Sequence, residues 1–149
     1  MNEQNGQIAD HIHVVSNGKA ELTLNELAET QPGMARLMVE LSPRMSKCWW
    51  ATRYENYELA TFQLSEATKL LKTSVIVRPK YRDDMYSFID SHISKLKNLL
   101  IEKDSEGFFK EFDSMVKSAN QLHERFNKGF IVWKVSERPP EDLDLTPKH

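Results

Sequence analysis

Residues 105–126 read SEGFFKEFDSMVKSANQLHERF and carry the clearest structural signal in the chain. Apolar residues recur there at alternating steps of four and three, namely Phe108, Phe112, Met115, Ala119, Leu122 and Phe126. This spacing puts them on one face of an α-helix. Asp104 and Ser105 are good N-cap residues, and Gly129 can cap the C-terminal end. The stretch therefore predicts one amphipathic helix.

Two further helical patterns lie in the first half of the chain. The first follows Pro32, which can sit in a first helical turn, and its apolar face comprises Met34, Leu37, Met38, Leu41, Met45, Cys48, Trp49 and Thr52. Ser42-Pro43 interrupts this face, so we expect a kink or a break there. After a turn at residues 54–56, the second pattern places on one face Tyr57, Ala60, Leu64, Ala67 and Leu71.

A connecting loop and a third helical pattern complete the set. Residues 73–78 are rich in β-branched side chains and end at Pro79, which predicts a loop with an extended tendency. From Lys80 onward, one helical face carries Tyr81, Met85, Phe88, Ile89, Ile93, Leu96, Leu99 and Leu100. Short links favour antiparallel neighbours. We therefore predict an all-α fold, an antiparallel up-down-up-down four-helix bundle.

The predicted organisation has three parts. Residues 1–22 are polar and mixed, and predict a flexible N-terminal arm. Residues 23–129 form the bundle. Residues 130–149 begin with a short extended run, contain Pro139-Pro140, and predict a C-terminal tail that packs on the bundle.

Composition narrows the class of protein. The 149 residues carry a net charge of −2, with basic and acidic residues interspersed, which argues against nucleic-acid binding. No apolar run approaches the length needed to cross a bilayer, and the first 20 residues lack a signal-peptide pattern. The single cysteine, Cys48, suits a reducing compartment. These features predict a cytoplasmic protein without a membrane partner.

Several short strings recur in an order that resembles a known family. Residues 47–51 read KCWWA, residues 56–60 read NYELA, residues 118–123 read SANQLH, and residues 130–132 read FIV, with prolines at 139, 140 and 147. Over residues 32 to 147, their order and approximate spacing resemble small bacterial four-helix-bundle proteins of the cytochrome c′ type. Each string alone is weakly specific.

The resemblance implies a haem-attachment motif, Cys-x-x-Cys-His, in the fourth helix. Here Ala119 and Leu122 stand at the two cysteine positions, and His123 stands where the axial ligand would be. Thioether attachment needs both thiols, so covalent haem is excluded. We expect no cofactor and no metal. Non-covalent haem, with His123 as axial ligand, is the alternative, and His123 can otherwise reach water or a backbone carbonyl.

Other candidate chemistry is sparse. His92 can point toward the bundle interior as a second haem ligand or as a hydrogen-bonded filler. A di-iron site is excluded, because neither His92 nor His123 has a glutamate three residues before it. Cys48 has no sequence neighbour that would activate it. Charged residues such as Arg125 and Lys128 are expected to form solvated faces.

The sequence therefore predicts a non-catalytic protein that has lost covalent haem attachment and serves as a small-ligand-binding or protein-interaction module. The alternative is a non-covalent haem protein in electron transfer, gas sensing or haem handling. Trp49 and Trp50 lie about 100° apart on a helix, so only one can occupy the centre of the core face. The other can support a homodimer through the first two helices, or can cover the C-terminal segment.

Overall fold

The computed structural model describes residues 13–16 and 18–148. The chain divides into two compact units, residues 1–32 and residues 33–149. The division between these units lies between Pro32 and Gly33, and the three-part organisation with an arm over residues 1–22 stays a prediction. Residues 1–12 of that arm lie outside the described residues.

The first unit contains a short β-hairpin and one helical turn and a half. Strand β1 (His13–Ser16) pairs antiparallel with β2 (Glu21–Thr23), so the predicted arm includes a hairpin. Helix α1 (Leu24–Glu29) follows directly. Its start is fixed by a capping box, in which the Thr23 hydroxyl accepts from the Glu26 amide and the Glu26 carboxylate accepts from the Thr23 amide.

The second unit is helical through most of its length, which confirms the all-α fold class. It contains α2 (Met34–Arg53), α3 (Tyr57–Val77), a 3₁₀ turn (Pro79–Tyr81), α4 (Arg82–Phe88), α5 (Ser94–Ile101) and α6 (Ser105–Arg125). Between α4 and α5, the five residues Ile89–Ile93 form a π-helical segment. The residues of the third predicted helix thus form a helix whose hydrogen bonding changes from α to π and back to α.

A break at Pro43 and the loop predicted to begin at residue 73 are both absent from this unit. Helix α2 runs through Pro43 without a break, with Leu37 and Met45 buried on either side of it. The burial of residues on both sides of Pro43 stabilises the helix by more than is lost with the one backbone hydrogen bond that proline, which has no N–H, cannot make. The predicted loop at residues 73–78 is also wrong up to Val77, because α3 continues and buries Ser74 and Val75. The helix ends only before Arg78, which has an extended φ of −138° ahead of Pro79.

The links between helices are short, and side chains in two of them cap the helix that follows. The side chain of Asn56 accepts a hydrogen bond from the Leu59 amide at the start of α3. Asp104 accepts from the Gly107 amide at the start of α6, as its predicted N-cap role requires. A Cβ on Gly107 would lie 2.8 Å from Leu99 Cδ2, so a larger residue at this position would require the side chains of Leu99 and Asp104 to move.

The end of α6 differs from the prediction. The helix stops at Arg125 rather than at Gly129. Asn127 adopts the left-handed conformation, with a φ of 58°, that glycine often supplies at helix ends. Asparagine is among the few residues that tolerate this conformation.

The core draws on every long helical segment of the second unit. Its fully or nearly fully buried members are Met45, Cys48, Ala51, Ala60, Leu64, Ala67, Leu71, Ile89, Ile93, Leu96, Leu100, Phe108, Phe112 and Met115. Trp133 and Val135 of the C-terminal tail pack against this cluster. The tail thereby covers part of the helical surface next to α6.

Candidate functional site

Helix α6 presents two functional faces. Ser118, Leu122 and Arg125 lie at helical steps of four and three and line a groove. His123 contacts the C-terminal tail instead, because one residue turns the helix by about 100°. The predicted haem-motif residues therefore separate: Leu122 faces the groove, whereas Ala119 and His123 are not part of its lining.

His123 has a backbone partner. Its Nδ1 lies 2.9 Å from the carbonyl oxygen of Ile131. A carbonyl only accepts, so Nδ1 carries the proton and Nε2 is the nitrogen that could bind a metal or a further donor. One of the expected roles of His123, contact with a backbone carbonyl, matches this geometry.

Asn120 fixes the tail one helical turn before His123. Its side-chain oxygen accepts from the Trp133 amide at 2.7 Å, and its side-chain nitrogen donates to the Trp133 carbonyl at 3.0 Å. Both backbone polar groups of Trp133 are thus paired with one side chain. The Trp133 indole also donates to the Ser42 hydroxyl at 3.0 Å, which ties the tail to α2.

Further contacts hold the tail along its length. Trp50 Nε1 donates to the Ser136 carbonyl at 3.1 Å, so this second tryptophan contacts the C-terminal segment. Lys47 forms an ion pair with Asp142 at 2.6 Å, and the Asn56 amide donates to the Thr146 carbonyl at 3.0 Å.

The interior beside residues 119–123 is packed with large side chains. Phe112 is 0% exposed and Met115 is 1% exposed. The Trp133 ring lies 6.0 Å from that of Phe112. Ala119, Leu122 and His123 do not surround a shared cavity, so these residues do not fit a haem group as they are arranged here.

The groove lies between the α4–π segment and α6, and has a volume of about 260 Å³. The α4–π side contributes Asp84, Ser87, Phe88, Ser91 and His92. The α6 side contributes Ser118, Gln121, Leu122 and Arg125. Small-molecule sites span roughly 300–1,000 Å³, so this groove suits a compact ligand.

The π-helical segment positions His92 at the groove. The Ser94 amide donates to the Ile89 carbonyl five residues earlier, which widens the turn that carries Ser91 and His92. Such π turns occur often at functional sites. His92 Nδ1 lies 2.8 Å from Glu111 Oε1, and its ring packs against Phe88 with centroids 5.3 Å apart.

An ion pair closes one side of the groove. The Arg125 guanidinium contacts the Asp84 carboxylate across the two helices. Arg125 was expected on a solvated face, and although it is more than half exposed it does have this acidic partner. Local sequence patterns do not indicate this pairing, because the two residues are 41 positions apart in the chain.

The structure provides neither a reactive Cys48 thiol nor, among the described residues, a group of metal ligands. Burial raises the pKa of the Cys48 thiol, which disfavours the reactive thiolate. Within the part of the chain that the structure describes, no three His, Cys, Asp or Glu side chains are grouped so as to hold a metal ion. None of the helices described there is long and apolar enough to cross a membrane.

The chain has no match among known protein-family models, curated proteins or solved structures. These comparisons neither support nor contradict the resemblance to cytochrome c′-type proteins.

Proposed function

We propose that this protein is a non-catalytic module that binds a small polar molecule in the groove between the α4–π segment and α6. The observation that carries the proposal is the set of accessible polar side chains that line the groove on both sides. A π turn and a cross-helix ion pair hold those two sides in place. The proposal keeps the small-ligand class expected from the sequence and gives it a location.

Binding rather than catalysis is proposed because of the partners of His92. Its Nδ1 is bonded to Glu111, which orients the ring as a base would be oriented. A serine nucleophile would also need to lie within hydrogen-bond reach of that ring. Among the described residues, no serine hydroxyl is hydrogen-bonded to His92.

The proposal extends to the arrangement of the helices. We propose that α2, α3, the interrupted helix from Arg82 to Ile101, and α6 form an antiparallel four-helix bundle. The support is the shortness of the links at residues 54–56 and 102–104, together with a core to which all these segments contribute. A homodimer through the first two helices remains a prediction.

The test is an amide NMR titration of the isotopically labelled full chain. The probes are glucose, myo-inositol, glycine and inorganic phosphate. Saturable shifts confined to residues 84–92 and 118–125 support a binding site there. Ser118→Trp should abolish those shifts by filling the groove. Ser114→Trp is the matched control, since exposed Ser114 lies one turn earlier on α6 and outside the groove. Absence of saturable groove shifts with every probe would refute the proposal.

Haem binding through His123 is the alternative proposal. It is favoured by the Nδ1 contact with Ile131, which would leave Nε2 as the ligand atom. It is disfavoured by the packed interior beside the motif. A haemin titration followed by visible absorbance separates the two proposals. A saturable Soret shift that is lost in His123→Ala would favour haem, and a shift unaffected by the substitution would argue against a ligated site.

A further inference from the structure

The ionic groups at the groove already have partners. Arg125 contacts Asp84, and His92 contacts Glu111. The side-chain exposures of His92 and Glu111 are 13% and 17%, so this second pair is largely shielded from water. A charged ligand would have to compete with these partners for the charges at the groove.

The neutral polar side chains at the groove, in contrast, have no such partners in the part of the protein that the structure describes. Within residues 13–16 and 18–148, Ser87, Ser91, Ser118 and Gln121 form no side-chain hydrogen bond with the protein. Some helical hydroxyls elsewhere among the described residues do form such bonds. The Thr68 hydroxyl donates to the Leu64 carbonyl at 2.7 Å, for example. The three groove hydroxyls and the amide are thus accessible to a ligand.

The hydrogen-bonding capacity of these four side chains indicates which ligand groups they can bind. A serine hydroxyl and a glutamine amide each both donate and accept, so together they match ligand groups that do the same. Hydroxyl groups are the simplest such ligand groups. Phe88 and Leu122 add apolar surface that can cover the C–H face of a ring.

We infer that the ligand is a neutral, compact molecule with several hydroxyl groups, a small polyol or monosaccharide. This inference rests on the proposed function, because it concerns the same groove. The serines and Gln121 bind its hydroxyls. The Asp84–Arg125 and His92–Glu111 pairs stay intact, and their charges are already compensated.

The test compares affinities among the four probes on the full chain. Glucose or myo-inositol should give saturable shifts at the groove, and glycine and phosphate should not. Ser118→Ala should weaken polyol binding about fivefold, as expected for loss of one hydrogen bond of about 1 kcal/mol. Ser114→Ala is the control and should leave the affinity unchanged. Gln121→Ala provides a second, independent variant if Ser118→Ala fails to fold by circular dichroism.

The possible failures are distinguishable. Groove shifts from glycine or phosphate, without shifts from either polyol, would overturn the neutral-ligand class while leaving a binding site. Equal polyol affinities for Ser118→Ala, Gln121→Ala and Ser114→Ala would overturn the assigned hydrogen bonds. Absence of groove shifts from all four probes would overturn the proposed function itself.

Discussion

Replacement of Asn120 by alanine should release the tail from α6. The substitution removes the hydrogen bonds of 2.7 and 3.0 Å to the Trp133 backbone. A net loss of about 1 kcal/mol per hydrogen bond predicts a destabilisation of about 2 kcal/mol. Partial burial of Trp133 lets water restore only part of this loss. For a domain of this size, that amounts to a fall of roughly 4–8 °C in Tm.

Chemical denaturation measures the global effect, and hydrogen exchange at the Trp133 amide measures local release of the tail. Asn120→Ala should accelerate that exchange even if the helices remain folded. Lys117→Ala is the control on the same helix, because Lys117 is exposed and its removal should change stability by less than about 0.5 kcal/mol. A wild-type exchange rate at Trp133 in Asn120→Ala, together with unchanged stability, would refute the two-bond attachment.

Three other outcomes follow from the packing and the charges. Phe112→Ala should lower the free energy of unfolding by roughly 3–5 kcal/mol in urea denaturation, since the ring is fully buried; a loss below about 1 kcal/mol would contradict this core position. Burial raises the pKa of the Cys48 thiol, so a disulfide reagent at pH 8 should label the native protein far more slowly than the denatured one, and equal rates would argue against burial. The hydrogen bond from Lys47 lowers the pKa of Asp142. The contact therefore stabilises the folded state at pH values above the ordinary pKa of an aspartate, and this stabilisation is lost as the pH falls through the lowered pKa. Asp142→Asn should remove that part of the pH dependence in acid denaturation; an unchanged acid profile would contradict the contact.

The all-α class could be predicted because apolar spacing and burial agree. Phe108, Phe112 and Met115 lie at steps of four and three in the sequence, and all three are buried. Asp104 also caps α6 as its residue type predicts. Local signals of this kind do not depend on distant parts of the chain.

The errors occurred where tertiary packing overrides local preference. Val75 is β-branched, a feature that favoured a loop, yet its burial in the core extends α3 to Val77. Pro43 predicted a kink or a break, and the break is absent, because α2 continues past Pro43 with buried residues on both sides. Gly129 is the predicted C-cap of α6, but the helix ends at Arg125 and the left-handed residue that follows is Asn127.

The groove could not be predicted from the sequence. Its two sides meet through long-range pairs, such as Arg125 with Asp84 and His92 with Glu111. The π turn leaves no signature in apolar periodicity, because Ile89 and Ile93 fit an ordinary α-helical face equally well.

Because of the π-helical segment Ile89–Ile93, the shape of the groove depends on the number of residues in that segment as well as on their types. A π turn amounts to one residue inserted into an α-helix, and deletion of one residue restores the regular helix. One residue corresponds to a rotation of about 100° between the parts of the helix on either side. In evolutionary terms, the loss of a single codon in this segment would therefore rearrange Ser87, Ser91 and His92 together, whereas substitutions would alter them one at a time.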